Sequence, residues 1–182
     1  MSFNGDLYPS SGASVVMTTK GDLVRYDSQR ERYGIGSTGQ VLAVQSNLPT
    51  WIDADSITHQ VAVQFACGDE TTAIDATGQK LSFRMPFAMT LNAGILGVKG
   101  SLVTAGTGVN LLTVDINEAG STILSTKLTF DATETTTVSA AIPVVISDVN
   151  LAADSIITVD VDQLDSGGVA AGLKITLLGS LA

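Results

Sequence analysis

The chain has 182 residues, of which 45% are apolar but only 5% aromatic, and it carries 18 glycines and a formal net charge of −9. This length suits one ordinary domain with an extension, or two small modules. The negative charge argues against nucleic acid as a partner, because phosphates would be repelled. No run of 18 apolar residues is present, and the first residues lack the basic start and apolar core of a signal peptide, so we expect neither membrane insertion nor secretion by that route.

Residues 1–17 come first in the chain and have the character of an arm. A Pro9-Ser10-Ser11-Gly12 break precedes the apolar run Val15-Val16-Met17. We predict that this stretch is extended and becomes ordered when it docks on a larger surface.

Residues 18–57 alternate short apolar stretches with tight-turn residues. We predict three short extended pieces, Leu23–Tyr26, Tyr33–Gly36 and Val41–Val44, with a turn at Asp27-Ser28-Gln29 and an end at Asn47-Leu48-Pro49. Such short strands are not stable alone, whereas copies wound together would cover their edges. We call residues 18–57 the assembly segment. The predicted contact between copies is lined by seven residues: Leu23, Val24, Tyr26, Ile35, Val41, Leu42 and Trp51. The alternative is that these side chains pack back onto their own chain.

Residues 58–182 show longer period-two patterns that predict β-strands with one apolar and one polar face. The apolar sets include Val61 to Phe65, Leu81 to Met85, Ile95 to Lys99, Leu112 to Ile116, Thr122 to Phe130, Ile157 to Val161 and Leu173 to Leu177. About eight strands and no convincing helix favour an all-β, antiparallel β-sandwich of the jelly-roll type. An immunoglobulin-like sandwich is the alternative, weakened by the lack of a cysteine pair and of a tryptophan in this region.

The charge is divided unevenly between these parts. Residues 1–58 hold six acids against four bases, and the remainder holds twelve acids against five bases. A solvent-facing outer domain and a less charged docking part would produce this division. Surface acidity also simply keeps a protein in solution.

The sequence offers little catalytic chemistry. His59, the only histidine, lies at the domain boundary, so we expect it to be solvated or at an interface rather than catalytic. Cys67, the only cysteine, is predicted to fill part of the core. The acids Asp160, Asp162 and Asp165, like Asp69 with Glu70 and Asp75, lack the spacing of a calcium loop.

A glycine pattern in the assembly segment matches a dinucleotide fingerprint only by letters. Gly34, Gly36 and Gly39 have the G-x-G-x-x-G spacing, but the apolar alternation after Gly39 predicts a strand where the fingerprint needs a helix. Aromatic residues that could stack sugars are scarce, since Tyr8, Tyr26, Tyr33 and Trp51 all lie outside the predicted sandwich. We therefore expect no enzymatic activity, no cofactor and no metal site.

The assembly segment resembles a module of tailed-bacteriophage structural proteins. That module contains, in this order, T-K-G-D-L, an Arg, an apolar residue with Gly, G-Q-V-L and a Trp. The matching positions are Thr19 to Leu23, Arg32, Gly34, Gly36, Gly39 to Leu42 and Trp51. A β-rich C-terminal module often accompanies it, and four stretches of this chain are similar to that module: residues 83–91, 114–117, 157–163 and 172–177. The resemblance implies a homotrimer on the exterior surface of the virion.

Two functions follow from this resemblance. In the first, the chain is a capsid decoration protein, of the cement or head-fibre kind, that binds the major capsid protein through its N-terminal part and projects the sandwich outward. The short chain, with little shaft, favours it. In the second, the chain is a tail fibre or receptor-binding protein that contacts tail or baseplate proteins and a glycan or protein of the host surface.

Overall fold

The computed structural model describes residues 18–26 and 30–182. The predicted arm, residues 1–17, and the predicted turn Asp27-Ser28-Gln29 lie outside these described residues. The chain divides between Thr58 and His59 into two compact units, one residue after the boundary expected from the sequence. In the described part, no helix combines the length and the apolarity needed to cross a membrane.

The described residues of the first unit form two antiparallel strand pairs. Strand β1 (Leu23–Tyr26) pairs with β2 (Arg30–Tyr33), β3 (Gln40–Gln45) pairs with β4 (Leu48–Asp53), and a 3₁₀ turn follows at Ala54–Ser56.

The third extended piece was expected to end at Asn47-Leu48-Pro49, and β3 ends just before, at Gln45, but the sequence pattern did not predict the further strand β4 that begins at Leu48. Ser46 and Asn47 have φ of +52° and +66°, as both central residues of a type I′ hairpin turn require. Pro49 is tolerated inside β4 because both strands of a two-stranded sheet are edge strands.

The second unit is built from twelve short strands. They are β5 (Gln60–Ala66), β6 (Gly78–Arg84), β7 (Met89–Leu91), β8 (Val98–Ser101), β9 (Leu112–Glu118), β10 (Ser121–Thr122), β11 (Leu124–Thr126), β12 (Leu128–Phe130), β13 (Val145–Ile146), β14 (Asn150–Leu151), β15 (Ile156–Gln163) and β16 (Lys174–Leu181). The only other regular element of this unit is a 3₁₀ turn at Gly94–Leu96.

These strands form two five-stranded antiparallel sheets. The first has the order β10-β9-β15-β6, with β12 also paired to β9, and the second has the order β14-β7-β16-β5, with β8 also paired to β16. Strands β11 and β13 form a separate pair. The arrangement is that of a β-sandwich, so the all-β, antiparallel prediction is confirmed.

The core lies between the two sheets and follows the period-two pattern of the sequence. Inward-facing side chains of the central strands are fully buried, and partly buried side chains of the neighbouring strands pack against them. The fully buried set from β9, β15 and β16 is Val114, Ile116, Ile157, Val159, Val161, Ile175 and Leu177. Outward neighbours such as Thr158, Asp160 and Thr176 are polar, which is the alternation expected of a sheet with one wet face.

Two predicted strands of this unit differ in the structure. The predicted strand from Ile95 to Lys99 begins only at Val98, since Gly94, with φ of +53°, starts a 3₁₀ turn. The predicted strand from Thr122 to Phe130 is divided into β10, β11 and β12. The division occurs at Ile123 and Leu124, which are consecutive and both buried, so the alternation breaks there.

Candidate functional site

The first unit is organised around the buried carboxylate of Asp22. Its oxygens accept hydrogen bonds from the backbone N–H groups of Thr18 (3.1 Å), Thr19 (2.8 Å) and Ile35 (3.2 Å). Arg32 Nε donates to the same carboxylate at 2.5 Å. This pairing with Arg32 is the main reason that the pKa of Asp22 is lowered to about 2, while its burial acts in the opposite direction. Asp22 thus joins the start of β1 to β2 and to the loop after it.

A second set of contacts joins the two strand pairs through Tyr33. The guanidinium of Arg25 lies 4.3 Å from the centre of the Tyr33 ring and also donates to the Pro49 carbonyl at 3.1 Å. The Tyr33 ring is parallel to the Trp51 ring, with 6.5 Å between centroids. The Tyr33 hydroxyl oxygen accepts the Trp51 backbone N–H at 3.0 Å, and Trp51 Nε1 donates to the Gly34 carbonyl at 2.8 Å. Trp51 is therefore held within its own unit.

Two glycines of the segment permit close packing. A Cβ atom at Gly36 would lie 2.6 Å from Cδ2 of Trp51, so the indole packs directly against the Gly36 backbone. A Cβ at Gly21, whose φ is +95°, would lie 2.6 Å from Cδ1 of Ile35. Gly39 has φ of +86° and directly precedes β3, the strand that the apolar alternation after Gly39 predicted.

The positions that carry the sequence resemblance thus have contacts inside the first unit. Thr19, Asp22 and Arg32 form one network, and Gly34, Gly36 and Trp51 form another. Gln40 closes the turn before β3 by accepting the Ser37 N–H at 3.0 Å. These residues account for the local fold of the unit and leave several apolar side chains unpacked.

The seven predicted contact residues fall into two groups. Leu23, Val41 and Trp51 are half-buried within the unit. The other four are exposed: Val24 (53%), Tyr26 (70%), Ile35 (54%) and Leu42 (46%).

Two exposed apolar residues of this unit, Val44 and Ile57 (41%), are not among the seven predicted contact residues. Val44, 76% exposed, lies on the same face of β3 as Leu42. The alternation in Gln40–Gln45 was the signal that could have identified it. We call Val24, Tyr26, Ile35, Leu42 and Val44 the exposed apolar set.

One cavity lies in the second unit, on the outer face of the first sheet. It is a groove of about 590 Å³ lined by polar side chains of β9, β15 and the start of β6. Its carboxylates are those of Asp115, Asp160 and Asp162, and its amides are those of Gln79 and Asn117.

The carboxylates of the groove are held by neighbouring donors. Asp160 accepts hydrogen bonds from Asn117 Nδ2 and Thr158 Oγ1, both at 2.9 Å. Lys127 pairs with Asp162 and, at 3.1 Å, with Asp115, and the pKa of Lys127 is raised by these two carboxylates. Three carboxylates against one ammonium leave the groove anionic, with oxygen atoms suited to accept hydrogen bonds from hydroxyl groups.

Asp165 is not part of this groove. It joins the loop after β15 to the loop before β9. Its carboxylate accepts the backbone N–H groups of Gly108 at 2.7 Å and Thr107 at 3.3 Å. Such backbone donors hold its pKa below the ordinary value against the effect of burial. Among residues 18–26 and 30–182, no three His, Cys, Asp or Glu side chains are grouped as a metal site requires.

The second acidic cluster is also engaged locally. Asp69 accepts hydrogen bonds from the Thr71 hydroxyl (2.6 Å) and from the backbone of Thr71 and Thr72, which lower its pKa well below the ordinary value. Glu70 pairs with Lys174. These contacts give both acids a structural role in the loop after β5.

The two residues considered for nucleophilic chemistry lie in different settings. Cys67 is buried as predicted, and burial raises the pKa of its thiol to about 12, so the reactive thiolate is disfavoured. His59 is exposed at the start of the second unit, where its carbonyl accepts the Leu181 N–H at 3.2 Å.

Comparison of the chain with protein-family models, with curated proteins and with solved structures finds no match.

Proposed function

We propose that this chain is a structural protein of a bacteriophage virion, a capsid decoration protein that assembles as a homotrimer through the assembly segment. The observation that carries the proposal is the exposed apolar set on the short assembly segment, residues 18–57. Large apolar side chains on such a small unit mark an interaction surface, because water contact with them is unfavourable.

The two-unit organisation supports a division of roles. The assembly segment and the arm before it would bind the major capsid protein, and the sandwich, a jelly roll in this proposal, would project outward. The sandwich carries twelve of the eighteen acids, which suits a solvent-facing domain.

Trimer formation through the exposed apolar set can be tested on the purified full chain. Sedimentation should give a species of three times the 18.7 kDa mass of the chain. The double variant Leu42→Lys with Val44→Lys should weaken assembly about 100-fold or more, since two apolar side chains leave a contact at about 1.5–3 kcal/mol each.

The matched control is Val109→Lys, which changes a side chain that is 92% exposed in the other unit. Circular dichroism should show that both variants keep the wild-type β-sheet content. A monomeric wild-type chain at micromolar concentration would refute the trimer. If the double variant is still a trimer, the contact between copies does not depend on Leu42 and Val44.

The position on the particle requires a reconstruction of the virion. A cryo-electron map of the phage that encodes this chain should show trimeric density on the capsid shell. Density confined to the tail would refute capsid decoration and favour the second function.

The second function, receptor recognition by a tail fibre, is favoured by one observation, the anionic groove of about 590 Å³. Carboxylates and amides that accept hydrogen bonds from hydroxyl groups are typical contacts for a neutral glycan. The sandwich has no tyrosine or tryptophan on which a sugar ring could stack. Binding of host-cell surface polysaccharide that is lost in Asn117→Ala and kept in Val109→Lys would support this function over capsid decoration.

A further inference from the structure

One side of the sandwich ends in two strands that are each paired on a single edge. Strand β5 pairs with β16, and β6 pairs with β15. In the described part of the chain, no other strand pairs with the outer edge of either. Each outer edge therefore presents backbone N–H and C=O groups that can pair with a further chain.

The core is incompletely covered on this side. Val61, Val63 and Phe65 of β5 and Leu81 and Phe83 of β6 all face the core but are only half-buried. The equivalent side chains of the central strands β15 and β16 are fully buried. The rings of Phe65 and Phe83 meet across the two sheets with 4.7 Å between centroids. We call these five residues the open side.

The composition of β5, more than that of β6, leaves its edge free to pair. Residues 59–68 and 76–114 contain no Asp or Glu, although the chain has a net charge of −9. Strand β5 has no charged residue and no proline, the residues with which edge strands are usually protected. On β6 the charged residues are Lys80 and Arg84, and Arg84 pairs with Asp154 at 3.4 Å.

Charge and connectivity identify the occupant as another copy of this chain. Copies of an acidic chain repel one another, so a contact between copies is favoured at strands that are free of acids. The assembly segment, if it gathers copies as proposed, delivers further β5 strands to the same place. Three residues, 57–59, separate the 3₁₀ turn of the assembly segment from β5 and span at most about 11 Å, so neighbouring β5 strands would be held at high effective concentration.

We propose that the open side, with the outer edges of β5 and β6, is a second contact between copies of this chain. This inference rests on the proposed assembly and extends it from the assembly segment into the sandwich. The contact would cover the half-buried side chains and give the edge strands backbone partners.

Two measurements on the full chain test the proposal. In the first, Val63→Lys places a charge within the open side and should raise the concentration at which trimers dissociate about tenfold or more. Val109→Lys is the matched control and should leave that concentration unchanged.

The second measurement leaves the core unaltered, in case Val63→Lys fails to fold. Ala62→Cys introduces an exposed thiol on β5, and a short bis-maleimide should link it to the same residue of a neighbouring copy. Background from Cys67 is low because that thiol is buried. The control Val109→Cys should give no covalent oligomer.

The outcomes separate this inference from the proposed function. The open-side contact alone would be refuted by three results together: the wild-type chain is a trimer, Ala62→Cys does not cross-link, and a folded Val63→Lys still assembles. Cross-linking of Ala62→Cys that persists in the Leu42→Lys, Val44→Lys background would support the open side while refuting assembly through the segment. A monomeric wild-type chain without cross-links would refute both.

Discussion

At the residue scale, Asp22 joins several parts of the assembly segment through its carboxylate. It accepts three backbone N–H groups and the Arg32 guanidinium. A buried carboxylate with this many donors is favoured in its charged form. The position of Asp22 in the T-K-G-D-L pattern therefore has a structural explanation within a single chain.

Low pH should lower the stability of the fold of the assembly segment, because Asp22 becomes protonated. Its pKa falls from an ordinary 3.8 to about 2 on folding, so the ionised form contributes stability above about pH 4 that is lost as the pH falls toward 2. The single tryptophan, Trp51, lies in this unit, so its fluorescence reports the segment. Denaturant midpoints measured by this signal should drop between pH 4 and 2.

The variants Asp22→Asn and Asp55→Asn test the assignment. Asp22→Asn should lower the midpoint at pH 6 and abolish the decline between pH 4 and 2, because an amide cannot ionise. Asp55 is exposed in the same unit, and its replacement should leave the decline intact. An unchanged pH profile in Asp22→Asn would mean that another group controls acid stability.

At the scale of elements, the two strand pairs are held together by packing that needs glycine at one position. The loop from Gly34 to Ser37 passes across Trp51 of β4, and only a residue without Cβ fits at Gly36. Because the loop follows β2 and the indole belongs to β4, this contact fixes one strand pair against the other. The strand pairs alone would be marginal, since two-stranded sheets rarely hold in water.

Gly36→Ala should displace the indole and disrupt its hydrogen bond to the Gly34 carbonyl. Overpacking of this kind costs about 1–3 kcal/mol, measurable by urea unfolding with Trp51 fluorescence. Gly34→Ala is the matched control, because a Cβ there meets no atom within 4 Å. Equal losses in the two variants would show that backbone flexibility, and not the Trp51 contact, determines the cost.

At the scale of the whole molecule, assembly must overcome a net charge of −9 on each copy. The exposed apolar set and the open side contain no acid, so the charge lies outside both proposed contacts. Apolar attraction at these contacts would act against longer-range repulsion between copies.

Salt should therefore strengthen assembly. Screening extends over about 30 Å at 0.01 M salt and about 10 Å at 0.1 M, so trimers should dissociate at lower protein concentration as salt rises. Near the isoelectric point of 4.3 the effect should vanish, while Asp22 stays largely ionised. Sedimentation that shows weaker assembly at higher salt would instead indicate that ion pairs hold the copies together.

The sequence predicted strands well where alternation was regular. Ile157, Val159 and Val161 were assigned to the inner face of one strand, and all three are fully buried on β15. The prediction failed at residues 94–96, at β4 and at the second extended piece, which was expected over Tyr33–Gly36 although β2 ends at Tyr33. A pattern of apolar residues does not reveal where the backbone adopts positive φ, as at Gly94 and in the type I′ turn formed by Ser46 and Asn47.

Composition, charge and period-two alternation were sufficient to determine an all-β chain with a small first unit and a larger sandwich, because these properties are local. Only the tertiary structure decided which strands pair, because pairs such as β5 with β16 join residues more than one hundred positions apart. It also decided that Trp51 packs within its own unit and that Asp22 binds Arg32. Such contacts depend on how the chain returns on itself, which no short-range pattern records.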